Sequence, residues 1–259
     1  MLLTYNNQTI ELFDVIKVPN KLVLGLSGGL DSASLFYLLC TYYPQIEIYP
    51  FVGRDIYAPF DATCSNDITS WMQEEFPHVK IHELYEFDFD DLDPAETAKV
   101  EKMDPAYLAG FNTIRGVVKP IILSAKTLAY RKTIAGDGLV LKIGGTTSNP
   151  PISEMKKCHN FYDRSEKRRN IFKSEAHLSN KYRVPNQPIR FSDDKNSYNP
   201  LLFVDKKFVA GVYEEHNLME SLFPLTSSCV GTKSETDNFT RVCKTCFWCN
   251  EKYWAFGQY

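Results

Sequence analysis

None of the 259 residues fall in a run approaching the ~18 consecutive apolar residues that a membrane span needs. The opening segment, MLLTYNNQTIELFDVIKVPN, is interrupted by polar and acidic residues and lacks a signal peptide's charged start and apolar centre. The expectation is a cytoplasmic chain with no membrane partner. Charge excess is missing too. Lys and Arg total 29 against 32 Asp and Glu, a net charge of −3, so total charge advertises neither nucleic acid nor a membrane surface. There is no internal repeat and no low-complexity linker, and 44% hydrophobic with 24% charged residues is a globular composition. The length suits one large domain, or one domain with a small appendage. Two common site patterns are also lacking: G-x-x-x-x-G-K-S/T and G-x-G-x-x-G do not occur. His78, His82, His159, His177 and His216 show no metal or triad spacing and read as ordinary surface or core residues.

What is present is an alternation of strands and helices. Short alternating strands flank a turn at Asn6-Asn7, and Lys21 to Leu26 is a compact apolar run of the kind buried in parallel sheets. A helix is expected from Ser32 to Tyr43, stopped by Pro44, then a strand over residues 46–52. Asp61 to Phe76 reads as a second helix ended by Pro77, and Val79 to Leu84 as a third strand. Glu86 to Asp93 reads as a solvated acidic loop. A helix over residues 117–135 leads to a strand over 139–143, and a last helix runs from about Lys206 to His216. Strands alternating with helices predict an α/β fold, a doubly wound parallel sheet covered on both faces. The expected division is an N-terminal strand extension over residues 1–20, an α/β core over 21–149, an insertion over 150–199 and a C-terminal segment over 200–259. The insertion carries a basic stretch, Arg164 to Lys173, read first as a solvated face.

Ser27-Gly28-Gly29-Leu30-Asp31-Ser32 lies between the first buried strand and the helix that follows it. A strand-to-helix turn at the edge of a parallel sheet collects backbone N–H groups and the positive end of the helix dipole. Gly28 and Gly29 let the backbone close around an anion, and Ser27 and Ser32 add hydroxyl donors. Asp31 repels phosphate, so its carboxylate makes sense there if Mg²⁺ bridges the two. Asp55, Asp61 and Asp67 follow the second strand and are either site-lining or solvated carboxylates.

Of seven cysteines, Cys229, Cys243, Cys246 and Cys249 crowd into the tail with x13, x2 and x2 spacers. Four thiolates so spaced close on one ion and suit Zn²⁺ in a structural role; an iron–sulfur cluster is the competing reading. The metal would staple a loop-rich tail. Tyr253, Trp254 and Phe256 are expected to pack that tail onto the main domain. Cys40 reads as core, and Cys158 as a polar-insertion thiol with nothing to activate it.

The run Leu26-Ser27-Gly28-Gly29-Leu30-Asp31-Ser32 resembles the signature of the N-type ATP pyrophosphatases, or PP-loop enzymes. The resemblance implies that the loop grips the pyrophosphate of ATP while a substrate oxygen attacks the α-phosphorus. The further order Asn199-Pro200-Leu201, Lys206, Thr226-Ser227-Ser228-Cys229 and C-x2-C-x2-C is similar to the 7-cyano-7-deazaguanine synthases. That resemblance implies ATP, Mg²⁺ and Zn²⁺ as cofactors, with a deazapurine carboxylate and ammonia as substrates. It implies Asp31 and Lys206 as catalytic residues, Lys206 neutralising phosphate charge. The adenine is expected near Phe51-Val52, at the end of the second strand. Gly144 to Pro151 departs from the family pattern: Asn149 replaces an acid, and the expected S-G-Y-P-D-C-R run is missing. Arg115-Gly116 stands nearest to the family's G-R-N. The phosphate end of the site is thus better marked than the substrate end. Two rivals remain: a PP-loop enzyme acting on a tRNA base, a protein or another nucleotide, which the basic stretch would favour, and a non-catalytic nucleotide-binding scaffold. The sequence leaves homo-oligomerisation open.

Overall fold

The structure is a computed structural model that describes residues 1–13, 18–54, 60–88, 114–135, 141–148, 150, 154 and 197–259. The expectations for Asp55, residues 89–93, Asn149, Cys158, His159, His177 and the basic stretch Arg164 to Lys173 lie outside these residues.

The chain opens with a hairpin, β1 (Leu2–Tyr5) and β2 (Gln8–Glu11), paired antiparallel. Asn6 and Asn7 form its turn at φ 46° and 60°, the left-handed conformation that a two-residue hairpin turn demands. The main sheet contains β3 (Lys21–Gly25), β4 (Glu47–Arg54), β5 (Tyr85–Asp88), β6 (Leu141–Gly144) and β7 (Ser197–Tyr198). Its order is β5-β4-β3-β6-β7, and every neighbouring pair is parallel. The helices are α1 (Leu30–Tyr42), α2 (Phe60–Glu75), α3 (Ile114–Ala135), α4 (Lys206–Glu215) and α5 (Phe247–Phe256), with a 3-10 turn at Phe223–Leu225.

Alternation along β3 sends its side chains to both faces, as expected of a doubly wound sheet. Leu22 and Leu24 join a core that includes Leu35, Leu38 and Leu39 of α1, Ile68 and Met72 of α2, and Phe208 and Val212 of α4. Val23 joins Phe51 and Phe87 on the other face, against which Leu123, Tyr130 and Ile134 of α3 pack. Cys40 is buried in the first core, and burial pushes its thiol well above the usual range. Among the described residues, no helix is long and apolar enough to cross a membrane.

Two expectations need correction. The strand expected at Val79 to Leu84 is displaced to Tyr85–Asp88, inside the stretch read as a solvated loop; Ile81 makes only an isolated bridge to Ile48. The acidic residues disguised a period of two. Phe87 is buried and stacks on Phe51 at 6.4 Å, while Asp88 lies outside and binds Arg54 at 2.9 and 3.0 Å. The tail is also less loop-rich than expected, because α5 gives it a helix of ten residues.

The hairpin is tied to the start of α4. Asp205 caps that helix by accepting the Lys207 N–H at 2.9 Å. The same Oδ1 accepts from Gln8 Nε2 at 2.7 Å, and the Asp205 N–H donates back to Gln8 Oε1 at 2.9 Å. Asp205→Ala removes a cap contributing about 1 kcal/mol and a hydrogen bond of similar size. Urea denaturation should show stability lower by about 1–2 kcal/mol.

Candidate active site

At the end of β3 the Leu26 N–H donates to the Phe51 carbonyl at 2.9 Å, and the chain turns away from the sheet. Phe51 and Val52 are nearly fully buried, so this strand end offers an approaching base backbone edges rather than aromatic surface. Gly28 has φ +67°, in the left-handed region. A Cβ on it would come within 2.8 Å of both the Asp61 carbonyl oxygen and Cys64 Cβ, so α2 presses directly on the loop. Ser65 Oγ adds a contact of 3.1 Å to the Leu26 carbonyl. Gly29 is the extended N-cap of α1 and makes no side-chain cap bond. The first-turn N–H groups of a helix have no acceptor of its own, so they face an incoming anion with the dipole behind them. Ser32 Oγ donates to the Gly29 carbonyl at 3.1 Å, accepts from the Ser27 N–H at 3.2 Å and lies 3.2 Å from Ser27 Oγ. Ser27 is exposed at the mouth. The Leu30 side chain is fully buried, which leaves its backbone N–H as its contribution to the loop.

β3 and β6 are neighbours from which the sheet grows in opposite directions, β4 and β5 on one side and β7 on the other. Loops leaving such a pair part and form a crevice, the usual ligand position in open α/β sheets. Here the segment after β6 closes on the start of α1. A Cβ on Gly145 would lie 2.6 Å from the Asp31 carbonyl oxygen, so this approach requires glycine. Asn199 holds the segment by donating to the Thr146 carbonyl at 2.9 Å, and the Ser148 N–H donates to the Val204 carbonyl at 2.7 Å. Thr147 is thereby aimed at Asp31. Its N–H and hydroxyl both donate to Asp31 Oδ2, at 3.2 and 3.0 Å.

The other Asp31 oxygen, Oδ1, accepts from Lys206 Nζ at 2.6 Å. Lys206 also lies 3.4 Å from Glu251 Oε2, and the Lys206 and Glu251 side chains are about 5% and 4% exposed. Burial alone would push the Lys206 ammonium down, but Asp31 and Glu251 outweigh it and hold it above its ordinary value. Burial pushes the Glu251 carboxyl up to about 7 against the pull of Lys206, with Asp31 adding to the rise. One cation thus serves two carboxylates. Tyr213, seven residues along α4 from Lys206, is fully buried with a phenolic oxygen that has no hydrogen-bond partner among the described residues. Its burial, reinforced by Asp31, pushes its ionisation well up.

The tail contacts the same loop. The Ser227 N–H donates to the Gly28 carbonyl at 2.9 Å, and Ser228 Oγ lies 3.1 Å from where a Cβ on Gly29 would sit. The Cys229 N–H donates to Ser227 Oγ at 3.3 Å. The sulfurs of Cys229, Cys243, Cys246 and Cys249 all lie within 4.8 Å of one another, a grouping able to hold a metal ion. Cys246 is the N-cap of α5, its sulfur accepting from the Cys249 N–H at 3.4 Å. Beyond the cysteines, α5 supplies Glu251 to Lys206, and Lys252 Nζ donates to the Thr226 carbonyl at 3.2 Å. Lys252 lies 3.9 Å from the Phe223 ring centre, and burial pushes its ammonium down to about 8. Phe256 packs edge-on against Tyr213 at 5.5 Å, while Trp254 Nε1 donates to Glu154.

The structure therefore gathers Ser27, Gly28, Gly29, Leu30, Asp31, Ser32 and Lys206 at one place, with the four cysteines together beside it. Within it, Lys206 pairs with Asp31. Asp61 reaches the loop through its backbone, and Asp67 is exposed on α2. His82 stacks on Tyr49 and binds Glu47, and His216 binds Tyr5, so neither belongs to this site. Sequence reasoning missed Gly145, Thr147, Tyr213 and Glu251. Glu251 did leave a signal: Glu251-Lys252 is the charged pair of the Phe247-to-Phe256 stretch, five of whose ten residues are aromatic.

Lys206→Met leaves two buried carboxylates without their cation, a change that typically costs ~3–5 kcal/mol. Urea denaturation should show a loss of that order, partly recovered when Glu251→Gln is added. Gly28→Ala meets a left-handed backbone penalty of ~1–2 kcal/mol as well as the close contacts with Asp61 and Cys64. Its thermal midpoint should fall; an unchanged midpoint would show that the loop has room.

No family model matches the chain, and no curated protein is similar to it at a significant level. Among solved structures it is similar to the U34-tRNA thiolase NcsA from Methanococcus maripaludis with its 4Fe-4S cluster. That likeness covers 94% of this chain and 73% of that one, at 18% sequence identity and a TM-score of 0.42. At that level it adds nothing to the geometry above.

Proposed function

We propose that the chain is an ATP-using enzyme of the PP-loop type, which adenylates a substrate oxygen and releases pyrophosphate. The observation that carries this reading is the uncapped start of α1 beside Ser27 and Ser32, at the crevice where the sheet reverses direction. A pyrophosphate leaving group accumulates negative charge as the α-phosphorus is attacked. Fixed N–H donors held in place beforehand stabilise that charge without reorganising. Asp31 supplies a carboxylate at this end of the loop, suited to a Mg²⁺ ion carried in with ATP, which neutralises phosphate charge when bound. Thr147 and Lys206 fix the orientation of that carboxylate.

The finer reading is conversion of 7-carboxy-7-deazaguanine and ammonia to 7-cyano-7-deazaguanine. The substrate carboxylate oxygen attacks the α-phosphorus and pyrophosphate departs. Ammonia then displaces AMP, which leaves with that oxygen, and an amide forms. A second ATP activates the amide oxygen, and loss of AMP with the remaining nitrogen protons gives the nitrile. The sequence order of loop, Lys206 and four-cysteine tail supports this substrate; the Gly144 to Pro151 departure favours a different one.

For the four cysteines we propose Zn²⁺. Zn–S bonds of ~2.3 Å place tetrahedral thiolates about 3.8 Å apart. Cys243 Sγ and Cys249 Sγ lie 3.9 Å apart, and all four sulfurs fall within 4.8 Å. A cubane cluster spreads its thiolates over separate irons and needs a wider set.

The test is mass spectrometry of purified protein incubated with ATP, Mg²⁺, ammonia and 7-carboxy-7-deazaguanine. The expected products are AMP, pyrophosphate and the nitrile, and Ser27→Ala should slow AMP formation by ~10²-fold or more. AMP formed with tRNA but not with the deazaguanine would replace the substrate assignment, and binding of ATP without turnover would leave a scaffold. Metal analysis should return about one zinc per chain; iron with sulfide would overturn that part.

A further inference from the structure

The metal group and the anion loop meet through two separate arms. One arm is the segment before Cys229: the Ser227 N–H holds the Gly28 carbonyl at 2.9 Å, and Ser227 Oγ accepts from the Cys229 N–H at 3.3 Å. A single residue, Ser228, therefore separates the loop contact from the first sulfur. The other arm is α5, whose first turn carries Cys246 and Cys249 and whose next turn carries Glu251. Glu251 lies 3.4 Å from Lys206, and Lys206 lies 2.6 Å from Asp31 in the first turn of α1. The arms are cross-braced, because Lys252 of α5 donates to Thr226 at 3.2 Å. Asn250, fully buried between Cys249 and Glu251, donates to the Cys246 carbonyl at 2.9 Å and ties the helix start together.

Whatever fixes the four sulfurs fixes both arms. Without an ion the four cysteines are thiols with little mutual attraction, and α5 is then held by contacts beyond them, such as Phe256 on Tyr213 and Trp254 on Glu154. Bound metal turns the same segment into a rigid clamp. Asp31 is then held by Lys206 on one oxygen and Thr147 on the other, with Glu251 restraining the ammonium from behind.

We propose that Glu251 is a positioning residue for Lys206 and Asp31, and that it couples metal occupancy of the four cysteines to pyrophosphate binding on the Ser27–Ser32 loop. This rests on the proposed reading of the loop as a pyrophosphate site. Coupling is reciprocal: if metal orders the loop for its anion, then the anion slows the metal's departure. Glu251 touches neither the anion nor the metal, so a purely local structural role would leave the two insensitive to each other.

The experiment uses the zinc-loaded full chain, with inorganic pyrophosphate and excess Mg²⁺ as the probe. Pyrophosphate binding is measured by calorimetry, and zinc release to a chromogenic chelator is followed with and without saturating pyrophosphate. In the unaltered protein, pyrophosphate should slow zinc release at least ~5-fold, the lower end of usual coupling. Glu251→Ala should bring that ratio close to one, and Glu251→Gln, which keeps a hydrogen-bonding oxygen, should restore part of it. The comparison within the unaltered protein needs no variant to fold. Binding with no change in release rate overturns the coupling and leaves the proposed function standing. Equal slowing in the unaltered protein and in Glu251→Ala overturns the role of Glu251. Absence of pyrophosphate binding overturns both the coupling and the reading of the loop.

Discussion

A single buried ammonium, that of Lys206, joins three helices that the chain order keeps far apart. Asp31 comes from the start of α1, Lys206 from the start of α4 and Glu251 from the middle of α5. Moving such charges out of water costs several kcal/mol per ion, and the attraction gained repays it only with close geometry and further hydrogen bonds. Asp31 has both: 2.6 Å to Lys206 and two donors from Thr147 on its other oxygen. Glu251 has less, at 3.4 Å, and burial accordingly shifts its carboxyl up to about 7. A well-packed apolar trio would fill this space at no smaller stability. What the charged trio adds is direction, since each group is oriented by the others.

Close approach is the second constraint. Gly28 admits α2, Gly29 admits Ser228 and Gly145 admits the Asp31 backbone, each at a distance where a side chain would collide or crowd. Three surfaces therefore converge on six residues of loop. Those contacts come from backbone, a hydroxyl and the Cys64 Cβ, while Ser27 stays exposed. Ser65 and Asp61 belong to this packing rather than to chemistry: they reach the loop from behind, through the Leu26 carbonyl and the Gly28 backbone.

Much of this was legible from residue patterns. Apolar runs located β3 and β4 to within a few residues, because burial on both faces leaves a nearly continuous apolar signature, and Pro44 and Pro77 marked where α1 and α2 stop. The Ser27–Ser32 run and the cysteine spacing marked two groups, both local in sequence. Local patterns do not report orientation across distance. That Asp31 is held by Thr147 and Lys206, 116 and 175 residues away, follows from sheet order, which no window contains. Composition misled at Tyr85–Asp88, where acidic residues on the outer face hid an inward Phe87. It misled again in the tail, where cysteines suggested loop but Cys246 acts as a helix cap.

The tail also brings the four-cysteine group beside the Ser27–Ser32 loop rather than to a remote place in the fold. Stabilisation of a transition state by fixed dipoles depends on their not reorganising when charge develops. A glycine-rich loop is the least suited backbone for that, because glycine surrenders the most freedom on ordering. Apolar packing supports this loop from below through Leu30 and from one side through α2, but its outer edge is polar and meets the tail. A metal held by the four cysteines, as proposed above, would supply there what side-chain packing does not. Binding energies of ~10–16 kcal/mol for structural zinc exceed the net stability of most domains. A clamp of that strength, two residues from Ser227 and two from Glu251, would hold the loop in one shape without covering it, which is the basis of the coupling proposed above.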